Sequence, residues 1–460
     1  MTDGKSLLYK QENAYELVSD KEKSECGAYC EGYKKFLDES KTERLAVDCS
    51  IKLAEAKGFR PFHHDMELTP GDKVYLNNRG KSLLLAVIGK KRLSEGVNIS
   101  AAHLDSPRID LKQVPLYEES ELAYFNTHYY GGVKKYQWVT IPLELHGVVV
   151  RKDGTSVTVA IGNCDTDPQF VITDLLPHLS SEQMKKTLAD GITGEGLDIL
   201  IGSYPCEGEE GTNKVKLNIL RILNEKYDIT EEDFLSAELM AVPAFNARDI
   251  GIDRSLIGGY GQDDRACSYA SLLAVMELQV PEKTAVCVLA DKEETGSDGV
   301  TGMKSHVFEH FMRDLCDIQD VKLNHCFANS FCISADVCNG LDPNYADVSD
   351  KRNNARMNYG MAVLKYSGSR GKSGTSDASA EVVGRLRGIF DKEGIIWQMA
   401  ELGKVDQGGG GTVAMFMAQR NIDTIDAGVP VLSMHAPYEV TAKLDCYMTY
   451  RGIKAVFENN

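Results

Sequence analysis

Apolar positions between residues 29 and 57, among them Phe36, Leu45, Ala46, Cys49, Ile51, Leu53 and Ala54, recur mostly at helical spacing. Gly58 supplies a stop, so the pattern predicts a helix over 29–57. The texture then changes. SLLLAVIG (82–89) and VNISAAHLD (97–105) are β-type runs separated by a charged turn, which places His103 and Asp105 at the end of a buried strand. From about Lys112 to Val242 the runs become short and alternating, as in TIPLELHGVVVRKDGTSVTVAIG (140–162), with turn signals and the acidic loop CEGEEGTNK (206–214). That texture predicts a β-rich domain. Long apolar units then return. A helix is expected over 265–278, a strand over 284–291, a strand near 330–336, a helix over 376–390 and a strand just before SMHAP (433–437). Helices alternating with buried strands imply an α/β fold with a three-layer core. Because this texture stands on both sides of the middle segment, the middle reads as an insertion. The expected organisation is a core in two parts, 1–111 and 243–460, around an inserted β-rich domain, 112–242.

The length agrees with more than one domain, since 460 residues exceed the size at which one hydrophobic core stops growing. With 43% hydrophobic and 26% charged residues the mixture is that of an ordinary globular chain. A net charge of −17 argues against a nucleic-acid or anionic-membrane partner. The first 20 residues contain no apolar signal region, and runs such as Leu83–Ile88 are far too short to span a membrane. Twelve cysteines are scattered without a paired CxxC signature, which fits buried free thiols in a reducing compartment, and a cytoplasmic protein is expected.

Candidate chemistry gathers at the ends of apolar runs. His103 in AAHLDSP stands two residues before Asp105, so both side chains fall on one side of a strand. That suits a metal-bound imidazole held by a carboxylate. QDDR (262–265) sets Asp263 and Asp264 just before an apolar helix, where capping alone needs one of them. ADKEETGSDG (290–299) puts Glu293 and Glu294 past another apolar run. Adjacent residues there point apart, which allows one glutamate to bind metal while the other moves protons. ISADV (333–337) ends a buried approach in Asp336, and PVLSMHAPYE (430–439) delivers His435. A lone HxD is usually a solvated loop, and an acidic turn is usually only solvated surface. Two histidines and several carboxylates, each at the end of a separate apolar run, point instead to hard divalent cations with mixed N/O ligands, Zn²⁺ first.

AHLDSP, QDDR, DKEETGS, ISAD with PNY at 343–345, and SMHAPYE, in this order, resemble the aspartyl aminopeptidase family, which includes vacuolar aminopeptidase and bacterial relatives. The likeness runs from about residue 10 to the C-terminus. It implies a zinc-peptidase core with an inserted dimerisation domain, and a metallo-aminopeptidase acting on peptides with a free N-terminus. It also implies two Zn²⁺ per chain, replaceable by Co²⁺ or Mn²⁺. His103 and Asp336 would hold one ion, Glu294 and His435 the other, and Asp263 would bridge, with Asp264 as the alternative. Asp105 would orient His103, and Glu293 would be the general base. His178, in PHL (177–179), matches a histidine that reaches a neighbouring subunit's site and contacts substrate, and Lys365 matches a lysine near the substrate side chain. The family assembly implied is a homo-oligomer, a dodecamer.

Rival expectations are a dizinc carboxypeptidase or N-acyl deacylase on a related core, and an inactive shell or cargo-binding homologue. SGSRGKSG (367–374) imitates a phosphate loop, but the position that must be glycine is Tyr366. QGGGGT (407–412) reads either as a flexible turn or as backbone lying close to a substrate.

Overall fold

The computed structural model describes residues 7–164 and 166–459. Two compact units result, one comprising residues up to Asp105, Ala247–Met434 and Tyr438 onward, the other Ser106–Asn246 with His435–Pro437.

The first unit is built on a nine-stranded sheet. Its order is Arg60–Pro61, Lys73–Asn78, Ser82–Val87, Ala285–Ala290, Asn98–His103, Phe331–Ser334, Asp423–Gly428, Met361–Leu364 and Trp397–Ala400. The four strands from Ala285–Ala290 to Asp423–Gly428 run parallel to one another. Every residue of Ala285–Ala290 and Asn98–His103 is buried, as strands covered on both faces require. Alternate side chains feed two separate cores. Leu83, Leu85, Cys287, Leu289 and Ile333 pack with the helices Asp20–Glu39, Gln262–Glu277, Ala380–Glu393 and Lys443–Asn459. Leu84, Ala86, Ile99, Val286 and Val288 pack with Val307–Ile318, Leu323–Ala328 and Ala414–Gln419. These are the three layers of an α/β fold.

Several expected elements are corrected. The helix over 29–57 is two helices, Asp20–Glu39 and Glu43–Glu55. Thr42 separates them because its hydroxyl accepts the Leu45 N–H at 3.3 Å, satisfying an orphan donor of the second helix. Both helices bury one side, so the apolar period continues across the break. The strand before SMHAP is Pro430–Leu432, and it belongs to a second, five-stranded sheet with Arg248–Ile250, Leu256–Gly259, Glu439–Ala442 and Cys338–Asn339. His435 therefore does not follow a strand of the large sheet.

The second unit carries a seven-stranded sheet in which all neighbours pair antiparallel. The limits expected at 112 and 242 fall inside the strands Arg108–Glu119 and Ala237–Pro243. The unit takes in both strands whole, because their ladder bonds are to each other and to strands within it. It also contains a helix, Lys214–Tyr227, in a region read from its alternation as β.

All twelve cysteines are free, and eleven are buried. Among the described residues no helix is long and apolar enough to cross a membrane.

Asp426, in the strand Asp423–Gly428, is buried with its Oδ1 accepting the Thr412 hydroxyl at 2.7 Å. Burial pushes its carboxyl from 3.8 up to about 6. A raised folded pKa favours the protonated form, so this group's contribution is fully present below about pH 4 and is lost as pH rises towards 6. Asp426→Asn keeps the acceptor without the charge. Thermal melts are expected to show the variant gaining on wild type between pH 4 and 6, with a constant gap above. A gap independent of pH would contradict this account.

Candidate metal centre

Strand pairing brings His103, Glu293, Glu294 and Asp336 towards one end of the large sheet. His103 ends Asn98–His103 and is the ladder partner of Ala290, the residue from which the chain turns towards Glu293 and Glu294. On the other side Ala101 pairs with Ser334, two residues before Asp336. Gly428 lies against this segment so tightly that a Cβ there would sit 2.0 Å from the Asp336 carbonyl oxygen. The carboxyl ends of adjacent parallel strands are where α/β proteins place their sites.

The His103 ring is 1% exposed. Its Nε2 stands 3.2 Å from Asp263 Oδ1, 3.8 Å from Asp336 Oδ1 and 3.9 Å from Glu293 Oε2. Its Nδ1 is 2.9 Å from the Asp105 carbonyl oxygen and 3.4 Å from Asp105 Oδ1. The atom that orients the ring most closely is thus a backbone oxygen. The Asp105 carboxylate has another task, accepting the N–H groups of Glu293 and Glu294, one on each oxygen, both at 3.1 Å. This grip fixes the one-turn helix Glu293–Thr295, entered through Lys292 at φ 69° and left through Gly296 at φ 87°.

The two acids of QDDR separate. The backbone at Asp263 and Asp264 is non-helical although both lie within Gln262–Glu277. The Asp264 carboxylate turns to backbone, accepting the N–H of Cys267 and of His103, each at 3.4 Å. That is the capping role. Asp263 faces the imidazole.

His103, Asp263 and Asp336 each offer a ligand atom within 4.8 Å of the others, and Asp263 is likewise grouped with Glu294. Burial, and then the neighbouring carboxylates, push Asp336 well above the carboxylate range. Asp264 is pushed up mainly by burial, with the Asp263 charge adding to it. For His103 burial opposes the charge, but the bonds to Asp105 and Asp263 and the charges of Glu293 and Asp336 overcome it and raise the pKa. An imidazole among carboxylates that resist being charged together is a donor set that fits a divalent cation.

The His435 Nδ1 lies 2.9 Å from the Gly132 carbonyl oxygen within the second unit, so Nε2 is the nitrogen left for a ligand role. His178 stands exposed in the turn Pro177–Leu179 of the same unit. Lys365 is half-buried, with Nζ 3.3 Å from Asp377. Gly408 and Gly409 of QGGGGT serve close packing between loops. A Cβ on Gly408 would sit 1.6 Å from the Leu402 carbonyl oxygen, and one on Gly409 2.3 Å from Ser369 Cα. Sequence reasoning missed two buried residues beside the centre. Glu439 accepts the Asp263 N–H at 3.1 Å, and the Ser268 hydroxyl donates to the His103 carbonyl at 2.6 Å. The signal for Glu439 was an acid opening the strand Glu439–Ala442, just after the His435 motif.

The model of the aminopeptidase I zinc metalloprotease family, M18, matches residues 36–457. The chain belongs to the M18 aminopeptidase family. "Probable M18 family aminopeptidase 1" of Clostridium acetobutylicum is 51% identical over 461 residues, covering 98% of this chain and 99% of that protein. The crystal structure of an M18-family aminopeptidase from Thermotoga maritima superposes with a TM-score of 0.94 at 43% identity, covering 98% of this chain and all (100%) of that one. The Saccharomyces cerevisiae mApe1 dodecamer shares the fold, with a TM-score of 0.75 at 20% identity over 93% of this chain and 96% of that one. The M18 chain is therefore an enzyme, a zinc metalloprotease that removes N-terminal residues from peptides.

Proposed function

We propose that this M18 aminopeptidase works through a dinuclear zinc centre, with His103 and Asp336 on one ion, Glu294 and His435 on the other, and Asp263 shared. The observation that carries this reading is that Asp263 stands with His103 and Asp336 in one grouping of ligand atoms and is likewise grouped with Glu294. When bound, such ions acidify a water and polarise the scissile carbonyl. Asp105 would keep His103 in register and hold the Glu293–Glu294 turn at two amides. Glu293, not counted among the ligands, is the general base that takes the water's proton and returns it to the leaving amine. The cluster's excess carboxylate charge would attract the substrate's free ammonium group and so enforce removal of the N-terminal residue. Lys365 would face the substrate side chain. His178 would contact substrate in a neighbouring subunit.

Co²⁺ or Mn²⁺ would replace Zn²⁺, and eleven buried free cysteines suit the reducing cytoplasm. We further infer a homo-oligomer, a dodecamer like yeast mApe1, with contacts made by the second unit, where Leu175, Leu176, Leu179, Met184 and Leu188 stand exposed around His178.

The test is a panel of aminoacyl-coumarin substrates with free and blocked amines, assayed with zinc, cobalt and manganese on material sized by light scattering. Release confined to free amines, lost with a chelator and restored by metal, from a large particle, is the expected result. Cleavage of blocked substrates at a comparable rate would identify an N-acyl deacylase instead. An active monomer would remove the assembly.

A further inference from the structure

We propose that Glu439 is a positioning residue that sets the geometry of the shared metal ligand Asp263 through its backbone, on a pedestal made by Gln262. The inference rests on the dinuclear reading above.

Asp263 sits where the chain is non-helical, at φ −84° and ψ 105°, two residues after Gly261 at φ 73°. No regular element dictates where its carboxylate points. Two contacts do. Its N–H donates to Glu439 Oε2 at 3.1 Å, and the residue before it, Gln262, is fully buried with both polar atoms of its side chain engaged. Gln262 Nε2 donates to the carbonyls of Ile257 at 3.1 Å and Glu439 at 2.7 Å, while its Oε1 accepts the hydroxyls of Tyr33 at 3.2 Å and Thr441 at 2.5 Å. The ladder beneath is equally fixed, with Gly259 paired to Glu439 and Ile257 to Thr441. Glu439 is 1% exposed. A buried glutamate beside an acidic centre is costly, and accepting the Asp263 amide is a use that explains its position. A ligand shared by two ions must be held to within about half an ångström, and the outer groups that hold ligands are worth about 10- to 100-fold in metal affinity.

Two substitutions separate reach from charge. Glu439→Gln keeps an acceptor at the Asp263 N–H and removes the charge, whereas Glu439→Asp keeps the charge and withdraws the acceptor by one methylene. Zinc titration of the metal-free full-length protein is expected to give Glu439→Gln an affinity within about threefold of wild type, and Glu439→Asp a loss of about tenfold or more at one of the two ions. Thermal melts of the metal-free forms check that both variants fold, and kcat at saturating zinc is expected to fall for the Asp variant more than for the Gln variant. The reverse ranking, equal losses or unchanged affinity in both would overturn the proposal. Wild-type protein binding fewer than two zinc ions would instead overturn the dinuclear reading on which it stands.

Discussion

Glu293→Gln is expected to lower kcat by about 10²- to 10⁴-fold, the range a positioned general base contributes, while two zinc ions per chain are retained. The side chain is only partly exposed, and its Oε2 lies 3.9 Å from His103 Nε2, so it borders the cluster. Its backbone position does not depend on its own carboxylate. Asp105 holds the amides of both Glu293 and Glu294, and Gly296 N–H closes the turn on the Glu293 carbonyl at 2.9 Å. Gln thus takes the same place, with the same shape, but cannot accept a proton. Elemental analysis read beside the rate makes the result decisive. Activity above a tenth of wild type would refute the base assignment, and zinc lost with activity would make Glu293 a ligand instead.

The large sheet was legible because its central strands are buried on both faces, and such strands read as uninterrupted apolar runs, SLLLAV and AVCVLA among them. The chemistry was legible for the same reason, since a carboxylate or imidazole at the end of such a run stands out against it. The rest depended on pairing in space. That Glu439 supports Asp263, 176 positions earlier in the chain, follows from the register of Gly259 against Glu439, which no local pattern contains. That the Asp105 backbone, more than its carboxylate, orients His103 is a matter of tenths of an ångström. The helix Lys214–Tyr227 was missed although Val215, Ile219, Ile222 and Leu223 recur at helical spacing, because it stands within a stretch of strands and opens with the alternation of Lys214, Val215, Lys216 and Leu217. The break at Thr42 was hidden for the opposite reason, since helices on both sides of it keep the apolar period going.

His103→Ala and His435→Ala are each expected to lower zinc content and rate together, but to differ in stability. Removing a direct ligand costs at least the tenfold or more in affinity that an outer-shell partner costs. His103 also stands among acids, its Nε2 within 4 Å of Asp263, Asp336 and Glu293. Deleting it leaves those carboxylates to repel one another around a cavity, in a place where burial already drives Asp336 towards its protonated form. The metal-free His103→Ala protein is therefore expected to melt well below metal-free wild type. His435 is half-buried in a short segment and its Nδ1–H donates to the Gly132 carbonyl, so its loss is expected to lower the metal-free melt far less. Zinc by elemental analysis and melting of the chelated proteins measure both quantities on the same samples. Full zinc occupancy in either variant would remove that histidine from the ligand set, and equal melting of the two metal-free variants would show that His103 does not hold the buried acids together.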